Sequence, residues 1–298
     1  MSDNMRGALL MMTCMVAFTI NDTFMKIILG EIGLFQALFL RGIVTTAALV
    51  ALAAAMGVLV LPPRPRDRWL ILVRTFAEVS AAWLFMTALV HMPIANVSAI
   101  LQVLPLSVTL VSALVFRDPL GWRRLSAIAI GFFGVLLIVR PGTEGFTVYS
   151  VYALASVACV TLRDIAARGL SREVPSITVA MLTALGVTLS VGAFSAFETW
   201  EAVDGATALH LAGASLFVVA GYLSSVMTMR VGEIGVIAPF RYTSLVAALI
   251  LGLVVFGDWP APLTLLGAAI VVGMGIFTLL REHHLGRVRR RAVTPRPL

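Results

Sequence analysis

Long apolar blocks alternate with short segments that hold most of the charge along this chain. A hydrocarbon core about 30 Å thick takes about 20 residues of α-helix, and the blocks match that length. They predict ten helices: Met5 to Ile28, Leu34 to Val60, Trp69 to Val90, Ile94 to Val115, Leu125 to Val139, Val148 to Ala167, Pro175 to Phe194, Leu209 to Met229, Ile234 to Phe256 and Leu263 to Leu280. No block alternates apolar and polar residues with period two, which excludes lipid-facing strands of a barrel. The expected class is an all-α integral membrane protein with ten transmembrane helices.

The pattern is also duplicated. The stretch from Pro93 to Arg140 sets two apolar runs around Phe116-Arg117-Asp118-Pro119-Leu120, and Ile234 to Leu280 repeats the layout around Phe256-Gly257-Asp258-Trp259-Pro260, 140 residues later. Thr19 to Lys26 in the first helix lines up with Thr161 to Arg168 in the sixth at an offset of 142, matching Thr, Asp and a cation. The chain therefore divides into residues 1–141, residues 142–281 and a basic tail, 282–298. Each half holds five helices, an odd number, so the second half enters the membrane inverted. Inverted repeats are the architecture of secondary transporters, which bind substrate near the midplane where the halves meet.

Composition agrees with the membrane reading: 60% of the 298 residues are hydrophobic and 12% charged, about half the usual charged share of a soluble domain. The net charge of +7 comes almost entirely from Arg, and those residues sit between helices rather than in a nucleic-acid-binding patch. Arg64, Arg66, Arg68, Arg117, Arg123, Arg124, Arg168, Arg172 and the tail arginines fall on one side; Glu31, Glu144, Glu198, Glu201, Asp204 and Asp258 dominate the other. The positive-inside rule then puts both termini in the cytoplasm, as an even number of spans requires. The N-terminus lacks a small-residue cleavage site and reads as a retained first helix. The tail has no apolar periodicity and reads as disordered, close to anionic lipid. Cys14 and Cys159 lie within apolar runs and imply no disulfide.

Several segments resemble the drug/metabolite transporter superfamily, and within it the ten-helix EamA-type carriers. They are Met92-Pro93-Ile94-Ala95-Asn96-Val97-Ser98-Ala99-Ile100, Gly131 to Pro141, Leu40-Arg41-Gly42 and the twofold repeat itself. Asp118 and Asp258 stand where members often carry Glu. The resemblance covers essentially the whole chain and implies export or exchange of amino acids and other small metabolites.

Ionisable groups inside spans are expensive and mark functional sites. Asp22 and Arg41 lie at similar depth, roughly 10 Å below the outer surface, and are placed to pair, either as a structural link or as groups that hold and release a carboxylate. Arg74 and Glu78 share one helix face. Glu78 lies deep enough to need a partner, Arg74 or Arg241, or else a proton, which would make it a coupling group. Ser98, Gln102, Pro105, Thr109 and Ser112 follow spacings of 4, 3, 4 and 3, a single face that either lines a cavity or packs a helix interface. Gln102 is expected to face the cavity and Pro105 to loosen the helix. The repeat places Tyr242 opposite Gln102, beside Arg241 and after Pro239, a second hinge. Trp83 and Tyr222 offer aromatic walls or lipid-facing packing. Arg163 and Asp164 are adjacent and point about 100° apart, so each is expected to meet another helix, either as part of an inner gate or with Arg163 reaching toward the cytoplasmic headgroups. Asp118-Pro119 reads as a helix cap, and Asp258 as a similar start for the last helix.

Enzyme chemistry finds no support: the four histidines lie near helix ends or in the tail, and no Cys/His cluster or Gly-rich phosphate loop occurs. No metal or cofactor is expected. The sequence therefore predicts a secondary carrier in the plasma (bacterial inner) membrane, working by alternating access on a carboxylate-bearing metabolite such as an amino acid, with proton coupling one option. A carrier of cationic or other metabolites, a channel and a membrane scaffold are the alternatives, and the oligomeric state is open.

Overall fold

The computed structural model describes residues 3–116, 122–140, 147–171, 173–228 and 237–293. Every regular element among the described residues is a helix. In chain order the helices are α1 (Asp3–Ile28), α2 (Leu34–Ala55), α3 (Pro65–His91), α4 (Ile94–Leu101), α5 (Leu104–Phe116), α6 (Trp122–Val139), α7 (Val148–Arg168), α8 (Ser176–Ser195) and α9 (Gly205–Thr228). A 3-10 turn, Ala238–Tyr242, leads into α10 (Thr243–Phe256), and α11 (Pro262–Val293) follows. Among the described residues eight segments are long and apolar enough to cross a membrane, counting α4 with α5 as one. Leu125–Val139 and Pro262–Thr278 are shorter apolar helices.

Where the helices end follows local chemistry. Pro65 supplies the first turn of α3, where a missing N–H costs nothing. The predicted second helix stops at Ala55 rather than Val60, because Gly57 takes a left-handed conformation, φ 66°. The predicted fourth helix is broken after Leu101. Pro105 has no N–H for the Leu101 carbonyl, and its ring crowds that turn, so Gln102 and Val103 form a turn between α4 and α5. Asp258 does not begin the last helix. Gly257 sits at φ 70° and the Asp258 N–H bonds the Gly252 carbonyl at 3.0 Å, so the pair closes α10 instead. Asp204 is the true helix cap on this side: its carboxylate accepts the Thr207 N–H at 2.7 Å, which holds its pKa below the usual range.

The last helix also runs past Leu280 to Val293, where the sequence predicts a disordered tail. No proline intervenes until Pro295, and intrahelical hydrogen bonding continues through the Arg-rich segment. The predicted cap at Asp118-Pro119, the predicted helix start at Ile234 and residues 294–298 lie outside the described residues.

Four interhelix pairings dominate: α1 with α9, α3 with α7, α2 with α8, and α6 with α11. With little hydrophobic driving force between helices in lipid, such contacts depend on close packing of small residues. A Cβ on Gly221 or Gly213 would lie 2.8 or 2.9 Å from the rings of Phe18 and Phe24, so α9 accepts both aromatics of α1 only because glycine stands there. Gly192 of α8 takes Phe39 of α2 in the same way. Between α6 and α11 the approach is backbone to backbone: a Cβ on Gly134 would meet the Gly267 carbonyl oxygen at 2.9 Å, and one on Gly267 the Gly134 carbonyl oxygen at 2.5 Å. Backbone cannot swing aside as a side chain can.

Gly267→Ala is therefore expected to destabilise the protein by about 1–3 kcal/mol, the usual cost of overpacking. Gly273→Ala, on the same helix with no atom within 4 Å of the added methyl, is the matched control and should not lower stability. Thermal unfolding of the two purified variants followed by tryptophan fluorescence checks the contrast.

Candidate functional site

Between these helix pairs lies a cavity of about 670 Å³. Asp22 from α1, Arg41 from α2, Arg74 and Glu78 from α3, Arg163 and Asp164 from α7, Tyr222 from α9 and Arg241 from the 3-10 turn all line it. The wall extends from Met11 to Asp22 along α1, roughly 16 Å at 1.5 Å per residue. Charged groups distributed over four helices and the turn thus face one space.

Arg163 is the most heavily engaged. Its Nη1 donates to both Glu78 oxygens, at 3.1 and 3.3 Å, and its Nε donates to Asp164 at 2.9 Å. Glu78 therefore pairs with neither Arg74 nor Arg241, and Arg163 does not extend to the headgroups. Adjacent residues do diverge by about 100°, yet the arginine side chain is long enough to fold back over its neighbour and still reach α3. The side chains of Arg163 and Glu78 are 24% and 23% exposed, so the pair is largely shielded from solvent.

Asp22 and Arg41 meet indirectly. Arg41 Nη1 donates to Asn21 Oδ1 at 3.1 Å, and Asn21 Nδ2 donates to Asp22 Oδ1 at 2.9 Å. Asn21 and Arg163 are 142 residues apart, and each donates to the aspartate that follows it. The signal lies in the aligned segments, but an uncharged residue at that place does not stand out. Arg74 Nε donates to Thr183 at 3.2 Å. Tyr222 lies within electrostatic reach of Glu78, Arg163, Arg41 and Arg74, and its ring meets Phe18 edge-to-face at 5.5 Å.

Other predicted residues lie elsewhere. Gln102 does not line the cavity; it is 7% exposed and donates to Ser244 of α10 at 2.9 Å. The break before Pro105 rotates the Ser98–Ser112 face, so Leu101 and Leu104 reach the cavity while Ser98 does not. Tyr242 is buried against α11, where a Cβ on Gly275 would collide with its hydroxyl. Trp83 is 42% exposed on the outside of α3 and packs on Tyr152 with ring centroids 5.7 Å apart. Pro105 and Pro239 each sit at an interruption: the α4–α5 break and the 3-10 turn. Thr183 and the apolar lining residues Met11, Met15, Phe18 and Phe85 carry no sequence mark that separates them from ordinary core.

The model of the EamA-like transporter family matches residues 5–140 and again residues 148–281. The chain belongs to the EamA-like transporter family. It is an integral membrane protein of the transporter type. Over 281 residues it is 28% identical to a riboflavin transporter of Vibrio cholerae, covering 90% of this chain and 91% of that one. An S-adenosylmethionine uptake transporter of Rickettsia prowazekii is 21% identical over 274 residues, 90% of each chain. A probable terminal-alkyne amino-acid exporter of Streptantibioticus cattleyicolor is 27% identical over 263 residues, 84% of this chain and 85% of the other. One solved crystal structure shares the fold with a TM-score of 0.62 at 20% identity, covering 94% of this chain and 98% of its own.

The EamA-family cavity should show a definite order of sensitivity to substitution. Arg163→Met strands two carboxylates, whereas Glu78→Gln and Asp164→Asn each leave Arg163 one charged partner. The Arg163 variant is expected to lose the most stability, between the about 0–1 kcal/mol of an exposed pair and the about 3–5 kcal/mol of a buried one. Thermal melts of the three purified variants give the ranking.

Proposed function

We propose that this EamA-family member is a secondary carrier that moves a small polar, carboxylate-bearing metabolite, such as an amino acid, across the cytoplasmic membrane by alternating access, in export or exchange. Ten helical segments span the bilayer, with α4–α5 and the 3-10 turn plus α10 each serving as one interrupted span. The two halves form inverted five-helix repeats with both termini in the cytoplasm, and the Arg-rich connections support that orientation.

The observation that carries this reading is the cavity, where charged side chains from both halves converge on one space. Three further features favour the repeat. The family model matches twice, once in each half. Exchanging the halves turns the α1–α9 pairing into α7–α3 and leaves α2–α8 and α6–α11 unchanged. Thr46 bonds Thr188 at 2.9 Å, 142 residues away, as expected for positions on a twofold axis. Interrupted helices at the centre of such repeats expose backbone polar groups to substrate and allow the halves to rock.

In this reading Asp22, Arg41, Glu78, Arg163, Tyr222 and Arg241 form the binding and gating set, and Pro105 and Pro239 the hinges. The Arg163 pair with Glu78 and Asp164 ties α3 to α7 and breaks and reforms as the halves rock. Relatives named for riboflavin, S-adenosylmethionine and an amino acid support a metabolite substrate of moderate size.

Purified protein in liposomes loaded with candidate metabolites should show counterflow of at least one of them. Arg41→Ala is expected to reduce that flux about tenfold or more at normal protein yield, about the 1.4 kcal/mol or more carried by a hydrogen bond to charge. Full flux through Arg41→Ala would remove Arg41 from the site, and absence of counterflow across the whole library would sink the carrier reading.

A further inference from the structure

The four guanidiniums of the cavity are not equally free to take a ligand. Arg163 is committed to Glu78 and Asp164, and Arg41 to Asn21 and through it to Asp22. Arg241 is exposed, so an anion there competes with water. Arg74 differs from all three. Its Nε donates to the neutral hydroxyl of Thr183, and among the described residues neither Nη has an acceptor.

That geometry has a chemical meaning. With Nε donating to Thr183, the two Nη groups of this cavity-lining arginine are left as donors for an incoming group. A fork of parallel N–H donors matches the two oxygens of a carboxylate. Glu78, four residues on and sharing the face, would be the natural partner, but Arg163 already holds it. Glu78 and Asp164 lie within electrostatic reach of Arg74 but neither bonds it directly, which leaves room for a ligand carboxylate, since charge in this setting is costly unless paired.

The surroundings narrow the class further. Phe18 and Tyr222 present an edge-to-face aromatic corner at 5.5 Å, Phe85 lines the same space, and Met11, Met15 and Met86 supply adaptable apolar surface. A volume of about 670 Å³ falls in the range of sites for drug-sized ligands and is roomy for a small aliphatic amino acid.

We infer that Arg74, steadied by Thr183, is the oxyanion anchor of the cavity, and that the substrate carries a carboxylate on a flat aromatic body. This rests on the carrier reading and deepens it. Arg41 then serves the Asn21–Asp22 network, and Thr183 acts as a positioning residue rather than a contact.

The test uses full-length protein in lipid nanodiscs and a library of mono- to tricyclic aromatic carboxylic acids, each matched with its primary carboxamide, read by thermal shift and titration. At least one acid should stabilise the protein while its carboxamide, of the same shape without the charge, does not. Arg74→Gln should weaken that acid about 10- to 100-fold, as expected for hydrogen bonds to charge. Arg74→Lys should recover part of the loss, because it keeps the charge and not the fork, and Thr183→Val should weaken binding about threefold. Equal binding of acids and carboxamides, no bound acid at all, or undiminished affinity in Arg74→Gln would each overturn the proposal. Counterflow of neutral or cationic compounds in liposomes would in that event leave the carrier reading standing while this one fell. A wild-type-like melting temperature for unliganded Arg74→Gln separates lost binding from lost folding.

Discussion

Charge inside a hydrocarbon slab must find a partner, and in this protein the guanidinium of Arg163 satisfies that demand across two helices. It reaches Glu78 on α3 and folds back on Asp164 of its own helix. The pairing joins two of the most extensively packed helices in the fold and puts both carboxylates on the wall of the cavity. It also settles which acids are held: with Glu78 and Asp164 both bound to Arg163, Arg74 hydrogen-bonds only the Thr183 hydroxyl among the described residues. Much of the site's electrostatic character therefore descends from one buried cation with two anions. Had Arg163 taken Asp164 alone, Glu78 would have been left for Arg74.

A cavity of this size requires helices that approach closely in some places and part in others. Glycines opposite Phe18, Phe24 and Phe39 let α9 and α8 close on α1 and α2, and Gly134 with Gly267 brings the backbones of α6 and α11 almost into contact. Tight seams around the periphery leave the polar residues of α1, α2, α3 and α7 to face inward. The break before Pro105 adds a second effect. It turns Gln102 into the seam with α10, where Ser244 satisfies it, and turns Leu101 and Leu104 toward the cavity. Neither consequence follows from a continuous helix.

The two segments that the family model matches hold their aspartates differently. Asn21 and Arg163 occupy matching places and each donates to the aspartate that follows, at 2.9 Å in both cases. In the first half the donor is a neutral amide fed by Arg41; in the second it is itself a cation that also recruits Glu78. One aspartate is thus held by a neutral amide and the other by a cation that a second carboxylate shares.

The sequence by itself determined the membrane class, the approximate position of nearly every helix, the family resemblance and the intramembrane ions, because segment hydrophobicity and charge are properties of composition over about twenty residues. Asp22, Arg41, Glu78, Tyr222, Arg163 and Arg241 were legible as candidates for the same reason: each is costly where it stands. Only the tertiary structure decided the partners. Helical spacing fixes direction around an axis to within about 100° per residue, but a long side chain such as Arg163 can cross that angle, and which helix lies across the gap depends on packing. Gln102, Ser98, Trp83 and Tyr242 look alike in sequence to the cavity residues and go instead to seams and outer surfaces. Arg74 shows the reverse: four residues from Glu78, it has the spacing of a paired group, and its freedom emerges only because Arg163 has taken that carboxylate.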